Sequence, residues 1–464
     1  MAGRLKRIEP FVPPALMHWL RRGHELLRPK SIQAEAPSFD PQQLDEIQAL
    51  FAQTGAAPGT AWDALRDAHM PLPPWFRRGL DPLGSAYRQQ QERLWQLVVG
   101  VDRPYDPDLD ESDVYSPEVD AIRKPAFYMR RDAAAVHSAS DHVIAMGMIM
   151  RHSGLRAGEH ALEYGAGFGQ TALAFARLGV HVDTVDVSRN FCNWVQEQAD
   201  FFQVPLKAHH GHFGQNPRPG FRYRLIWFYE SFHHCWHFDQ VVPLLREMLA
   251  DGGKIILGGE PIFQAENAAV PYPWGVRLHA EVAAIMRRTR WMELGFSEPF
   301  LFELFSRHGF TCRRIDCPSS FFGQLYEFEA PRRAQPGPSV QRWAADGGAL
   351  QTQAGTHEGA TIVARGVGGV LCFGPYAALD PGEWWACVEL ADSVPLSGSV
   401  LVDVASGQGS TIHAAQWFDL EPGARVEIAF CLLQPVVDLE VRVSATSATY
   451  MAVEALCLRL PQQA

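Results

Sequence analysis

The chain has 464 residues, 47% of them hydrophobic and 20% charged, with a formal net charge of −11. That length carries two or three domains with real cores, and the composition excludes a disordered or collagen-like chain. The acidic balance argues against a nucleic-acid binder, and no apolar run approaches the ~18–20 residues that span a bilayer.

The amino-terminal thirty residues depart from this balance, with seven Lys/Arg against two Glu. Pro14 suits a first helical position. After it Leu16, Trp19, Leu20, Gly23, Leu26 and Leu27 recur at helical steps, with Arg21, Arg22 and Arg28 off the stripe. Such a helix either rests on an anionic membrane surface or, more commonly, packs on its own protein. Pro13-Pro14 and His18 break any signal-peptide core, so a cytoplasmic location, at most membrane-peripheral, is expected. The eight cysteines include no CxxC pair and read as reduced, mostly buried hydrophobes.

Residues 31–42 read as a linker. Residues 41–100 read as helical, best over Leu44–Phe51 and Tyr87–Val99, with Pro71, Pro73, Pro74 and Pro82 between. The acidic stretch Asp102–Asp113 reads as a surface loop. From about residue 155 the apolar strands Ala161–Tyr164, Val180–Val185, Leu225–Tyr229 and Lys254–Leu257 alternate with helical stretches, the pattern of βαβ units on a largely parallel sheet. Ala330–Ser339, rich in proline, marks a boundary. Beyond it come seven or so strands, Thr361–Cys372, Glu383–Leu390, Ser399–Val404, Ile412–Phe418, Val426–Leu433, Asp438–Val443 and Met451–Leu460, which predict a β-sandwich. The expected division is a helical region over 1–120, an α/β domain over 121–330 and an all-β, jelly-roll-like sandwich over 340–464.

The most informative segment runs from Ala161 to Gly179. An apolar strand ends at Glu163, Gly165, Gly167 and Gly169 fall at alternate positions, and a helix follows. Glycines there let the backbone approach a ligand closely. The dinucleotide pattern G-x-G-x-x-G would need glycine at position 170, where Gln170 stands. Asp186 closes the second strand, where a carboxylate can accept both hydroxyls of a ribose; its rival Asp183 lies inside the strand.

The motif Glu163-x-Gly165-x-Gly167-x-Gly169 resembles motif I of class I S-adenosylmethionine-dependent methyltransferases, and the resemblance extends over roughly 125–325. It implies a Rossmann-like domain that binds S-adenosylmethionine rather than NAD. It also implies that Glu163, Gly165, Ala166, Gly167, Gly169, Asp186, Val187 and Glu230 form the cofactor site. His212 and Phe213 then fall where the family contacts adenine, and Tyr128, in a segment with Arg130, Arg131, Asp141 and His142, where the pocket is closed.

An oxygen acceptor with a high pKa benefits from a general base. His233 and His234 follow the fourth strand and face the crevice where open α/β sheets bind ligands, so either is a candidate, as is a purely structural role. Glu260, after the fifth strand, is a candidate to bind acceptor hydroxyls or assist the base, or simply a turn residue. The spacing of His209, His210, His212 and His237 fits no metal template, and no metal is expected. Tyr272–His279 and Trp291–Phe296 fall where this fold covers its acceptor.

The stretch Gly369–Trp385, with Phe-Gly-Pro-Tyr and Leu-Asp-Pro-Gly, is similar to sandwich domains appended to bacterial glycan-assembly enzymes. Trp384 and Trp385 point to opposite faces of a strand, one expected in the core, the other free to stack on a sugar with Tyr376 or Trp417. The reading is an enzyme that methylates a sugar hydroxyl of a surface-glycan precursor. The rivals are methylation of a small metabolite, with a sandwich serving structure or homo-oligomer formation, and a non-catalytic scaffold in a glycan-synthesis complex.

Overall fold

The computed structural model describes residues 37–54, 59–111, 119–130, 135–264, 267–330, 336–432 and 434–461. The basic amphipathic segment over 14–27 and Arg131 lie outside them. Helices α1 (Leu44–Thr54) and α2 (Ser85–Val99) open the chain, followed by the single turn α3 (Pro107–Asp110) and helix α4 (Ala135–Ser153). The α/β unit then runs β1 (His160–Tyr164), α5 (Gln170–Ala176), β2 (His181–Asp186), α6 (Arg189–Phe202), β3 (Leu206–His210), β4 (Tyr223–Tyr229), α7 (Phe238–Met248) and β5 (Leu249–Gly258).

Strands β3-β2-β1-β4-β5 pair in parallel, and β1, β4 and β5 carry the near-continuous apolar run of a sheet covered on both faces. Leu162, Leu225, Ile226, Trp227, Phe228, Ile255, Ile256 and Leu257 are fully buried. The glycine pair 252–253 sits within β5. A Cβ on Gly253 would stand 2.8 Å from the Ala250 oxygen and 2.9 Å from that of Tyr223, so backbone approach excludes a side chain there.

After β5 a small sheet forms from β6 (Ile262–Phe263), β7 (Trp274–Val276) and β8 (Leu294–Ser297), with α8 (Ala280–Thr289) between its last two strands. Helix α9 (Glu298–Arg307) leads to β9 (Thr311–Ile315) and β10 (Leu325–Glu329), and β10 returns antiparallel beside β5. The amino-terminal helices do not form a separate unit. Trp62, Tyr87, Leu94 and Trp95 join the same apolar core as Trp274, Met286 and Phe296. Tyr87 Oη donates to the Trp274 oxygen at 2.6 Å, and Trp95 Nε1 to the Arg290 oxygen at 3.1 Å.

The acidic stretch before residue 112 is not a plain surface loop either. Asp110 is fully buried, where Arg103 Nη1 donates to it at 2.7 Å. Composition alone hides this, because the partner that makes burial affordable is a single arginine seven residues upstream.

The carboxy-terminal region is a two-sheet sandwich. One sheet is formed by β14 (Gly369–Leu379), β16 (Ser399–Ser406), β17 (Thr411–Asp419) and β19 (Val436–Ala445). The other is formed by β11 (Pro336–Ala344), β12 (Thr356–Glu358), β13 (Thr361–Arg365), β15 (Gly382–Leu390), β18 (Val426–Leu432) and β20 (Tyr450–Pro461). A core including Val402, Val404, Ile428, Val441 and Leu456 lies between them. Two expectations change here. The predicted strand Thr361–Cys372 is two strands broken at Gly366, whose φ of +72 favours glycine, and β11 starts inside the proline-rich boundary.

The sandwich also continues the parallel sheet. Ala415 of β17 pairs with Cys312 of β9, which gives an 11-stranded sheet in the order β14-β19-β16-β17-β9-β10-β5-β4-β1-β2-β3. Arg314 fastens the seam. It donates to both Glu298 oxygens, at 2.8 and 2.7 Å, and to the Ser410 oxygen at 2.7 Å. Among the described residues no helix is long and apolar enough to cross a membrane. All eight cysteines are free thiols.

Candidate active site

The glycine loop after β1 has a structural reason at each position. Gly165 has φ +63, and a Cβ there would lie 2.5 Å from the Ser231 Cβ, so only glycine lets the loop pass against the turn after β4. Gly169, at φ +64 before α5, meets Val195 of α6 in the same way, with its Cγ2 at 2.8 Å. It serves helix packing and does not line the cavity. Gly167, at φ +52, has open space where a side chain would be. Asp186 at the tip of β2 holds this loop: Oδ2 accepts from Gly167 N at 3.0 Å and Oδ1 from Ser188 N at 2.8 Å. Asp183 is fully buried and bonded to His209 and Tyr223, which removes it from the cavity.

Two adjoining lobes open at the carboxyl ends of the parallel strands. One, of about 290 Å³, is lined by Gly165, Gly167, Asp186, Val187, His212 and Phe213 from the α/β unit and by Tyr105, Pro107 and Glu111 from the amino-terminal region. The other, of about 630 Å³, is lined by Glu163, Ala166, Phe127, Arg130, His142, Tyr229, His233 and others. Gly165, Gly167, Phe191, Glu230, His234 and Trp291 line both. Such volumes are those of small-molecule sites. Tyr128 is placed otherwise than expected. Its side chain is half exposed, and the neighbours Phe127 and Arg130 line the lobe in its place, because the short helical turn over Ala126–Met129 sends successive side chains in different directions.

Glu163 is buried at the back of the larger lobe. Oε1 accepts from Trp227 Nε1 at 2.7 Å, while Oε2 is buried with no hydrogen-bond partner. Burial pushes its carboxyl up to about 8. With its folded-state pKa above the unfolded one, Glu163 keeps its proton in the folded protein at pH values where the unfolded chain has lost it, so stability falls as pH rises from 4.5 towards about 8. Glu163→Gln should therefore flatten the decline of melting temperature between pH 5 and 8.5, as read by thermal scans. An unchanged slope would show that Glu163 does not carry it.

The turn after β4 is built around Glu260. Its Oε1 accepts from the backbone N–H groups of Ser231 and Phe232, both at 2.9 Å. Its Oε2 accepts from His233 N at 3.1 Å and pairs with His233 Nδ1 at 2.7 Å. With its oxygens so engaged, Glu260 positions the histidine pair and does not reach an acceptor. Burial disfavours charge on His233, but the Glu260 carboxylate outweighs it and the imidazole pKa is raised. His234 is pulled down to about 4 by burial and by His233 beside it.

Two further carboxylates reach the pair that the sequence did not indicate. Glu293 Oε2 lies 3.6 Å from His233 Nε2 and 2.9 Å from Arg277 Nη1. Glu111 Oε2 lies 3.4 Å from His234 Nδ1. Glu111 Oε1 accepts from Tyr105 Oη at 2.7 Å and Met292 N at 2.8 Å, and burial pushes its carboxyl up to about 8. Neither carboxylate sits in a motif. Tyr105 before Glu111 is the one local sign that the acid is sheltered. His209 is bonded to Asp183 and His212 lies 3.3 Å from Asp108, so those histidines do not converge with His237.

A strand, a glycine loop and a helix, a carboxylate at the tip of the next strand and a cavity over the strand ends define an α/β enzyme for a nucleoside-bearing cofactor. Residues 161–253 match the family model described as a methyltransferase domain. The match makes the central α/β unit a methyltransferase domain, for which the sequence motif implies S-adenosylmethionine as cofactor. No curated protein matches the chain.

Among solved structures it is similar to the YcgJ protein of Bacillus subtilis (20% identity, 38% of this chain and 71% of that one, TM-score 0.32). It is also similar to 1,6-didemethyltoxoflavin-N1-methyltransferase of Burkholderia thailandensis (16%, 42% and 80%, TM-score 0.31). A third is the magnesium protoporphyrin IX methyltransferase of Synechocystis PCC 6803 (11%, 44% and 89%, TM-score 0.32).

The residues present fit this cofactor. The open space at Gly167 admits a ligand to the backbone, and the orphaned Glu163 Oε2 awaits a donor. Asp186→Ala removes both the loop's anchor and a cavity carboxylate. It should weaken S-adenosylhomocysteine binding by ~1.5–3 kcal/mol, roughly 10- to 150-fold, in calorimetry, and an unchanged affinity would remove Asp186 from the site.

Proposed function

We propose that the enzyme O-methylates a sugar hydroxyl of a surface-glycan precursor. The observation that carries this reading is the larger lobe, where aromatic faces (Phe127, Tyr229, Trp291) and polar groups (Arg130, Glu230) meet beside the histidine pair. Aromatic rings with a few placed polar groups suit the mixed faces of a sugar ring. The cofactor supplies an activated methyl group. Gly165, Gly167, Glu163, Asp186, Val187, His212 and Phe213 would hold it, while Trp291 and Phe127 narrow the site and exclude water. The acceptor hydroxyl loses its proton at the His233–His234 pair, which Glu260 fixes in orientation.

A second polar cleft supports the glycan class. It lies between the α/β domain and the sandwich, lined by Lys254, Arg313 and Glu327 on one side and Trp384, Trp385 and His413 on the other. Trp384 packs against the sandwich core, as expected of one of the pair, and both it and Trp385 are partly buried and line this cleft; Tyr376 and Trp417 do not line it. Incubation with methyl-labelled cofactor and fractionated glycans and metabolites tests the reading. Label in a saccharide supports it, and label confined to small metabolites moves the assignment to a metabolite methyltransferase. No label anywhere, from protein that binds cofactor, favours the scaffold.

A further inference from the structure

We propose that His233, His234 and Glu293 hold a divalent transition-metal cation at the floor of the acceptor lobe. A ring nitrogen from each histidine and a carboxylate oxygen of Glu293 lie within 4.8 Å of one another. Two ligands about 2.1 Å from one tetrahedral ion stand about 3.4 Å apart. His233 Nε2 and Glu293 Oε2 are 3.6 Å apart, the spacing of neighbouring ligands. His234 Nδ1 is buried and makes no hydrogen bond, and a buried nitrogen of that kind needs a partner.

The surroundings are those of a metal-binding imidazole. Glu260 pairs with His233 Nδ1 at 2.7 Å, which fixes the ring and turns Nε2 towards Glu293. Three carboxylates, Glu111, Glu260 and Glu293, gather at the pair, with Arg277 on Glu293 as the guanidinium partner. Two imidazoles and one carboxylate suit zinc or cobalt rather than magnesium. His233 lines the acceptor lobe and His234 both lobes, so a remaining coordination position faces the cavity. Only the catalytic consequence rests on the methyl-transfer reading: with the imidazoles ligating the ion, the ion would take over from the free histidine pair the role of acidifying the acceptor hydroxyl.

Untagged, full-length protein stripped with a chelator and titrated with Co²⁺ should take up one ion per chain and show visible absorption bands of a four-coordinate site, which Zn²⁺ abolishes. Calorimetry with Zn²⁺ alone should show His234→Ala and Glu293→Gln weakening the ion by at least about 100-fold. His209→Ala, outside the cluster, should bind it like the parent, and thermal melts confirm that each variant is folded. Absence of bands and heat in the parent protein overturns the proposal, whether or not S-adenosylhomocysteine binds. Equal affinity in folded His234→Ala and Glu293→Gln overturns it too. An ion bound by protein that ignores S-adenosylhomocysteine supports the site and overturns the methyl-transfer reading instead.

Discussion

Replacing His234 by Ala or Asn should lower turnover by ~10²–10⁴-fold, about 2.7–5.5 kcal/mol of barrier, with S-adenosylhomocysteine affinity little changed. The side chain lines both lobes, so it is placed to serve an acceptor rather than to hold the fold. His233→Ala should show a comparable loss. Single-turnover kinetics on folded protein, with the acceptor found by labelling, measures both. Retention of more than about a tenth of the parent rate by both variants would sink the assignment of proton loss to the pair, since a base contributes at least ~10²-fold.

Glu260→Ala should be the most destabilising change at the site, at about 3–5 kcal/mol. Its carboxylate is buried and collects three backbone N–H groups and an imidazole, all of which lose their acceptor together. Urea unfolding at constant m-value measures it, and a loss under about 1 kcal/mol would show that the turn after β4 stands without this anchor.

The sign of the pH dependence follows from the two partners. Burial alone would raise the Glu260 carboxyl, but the His233 charge and hydrogen bond leave it lowered, so its contribution is present above 4.5 and lost as acid protonates it. His233, raised above 6.5, contributes below that value and loses its share as pH rises through its folded pKa. Their mutual stabilisation is therefore greatest between roughly pH 4.5 and 6.5. Glu260→Gln, which keeps one acceptor oxygen but no charge, should remove that pH dependence while costing less stability than Ala.

The cofactor half of the site was legible because it is local: Glu163, the alternating glycines and Asp186 lie within one strand–loop–helix–strand, where conformation follows residue type. The polar floor beside it was half legible. His233, His234 and Glu260 sit at strand ends and could be read from order along the chain. Glu111 and Glu293 could not, because what makes each functional is a neighbour far away in sequence, Met292 for the first and Arg277 with His233 for the second. The sandwich strands were found from alternation and turns. Its junction with the parallel sheet was not, since a single residue pair, Ala415 with Cys312, leaves no pattern in either strand.

The interdomain cleft opens beside the middle of β5, and the histidine pair lies beyond its carboxyl end. Lys254, midway along β5, and Glu260, two residues past its end, are six residues apart, at most about 20 Å at ~3.3 Å per residue. The distance is fixed, because β9, β10 and β5 form one hydrogen-bonded sheet that β17 joins. A saccharide seated between Trp384, Trp385 and Lys254 is therefore not the one receiving the methyl group. It would have to be a remote stretch of a long chain that wraps around the sheet, and the fold would then act as a ruler, favouring acceptors long enough to occupy both places at once.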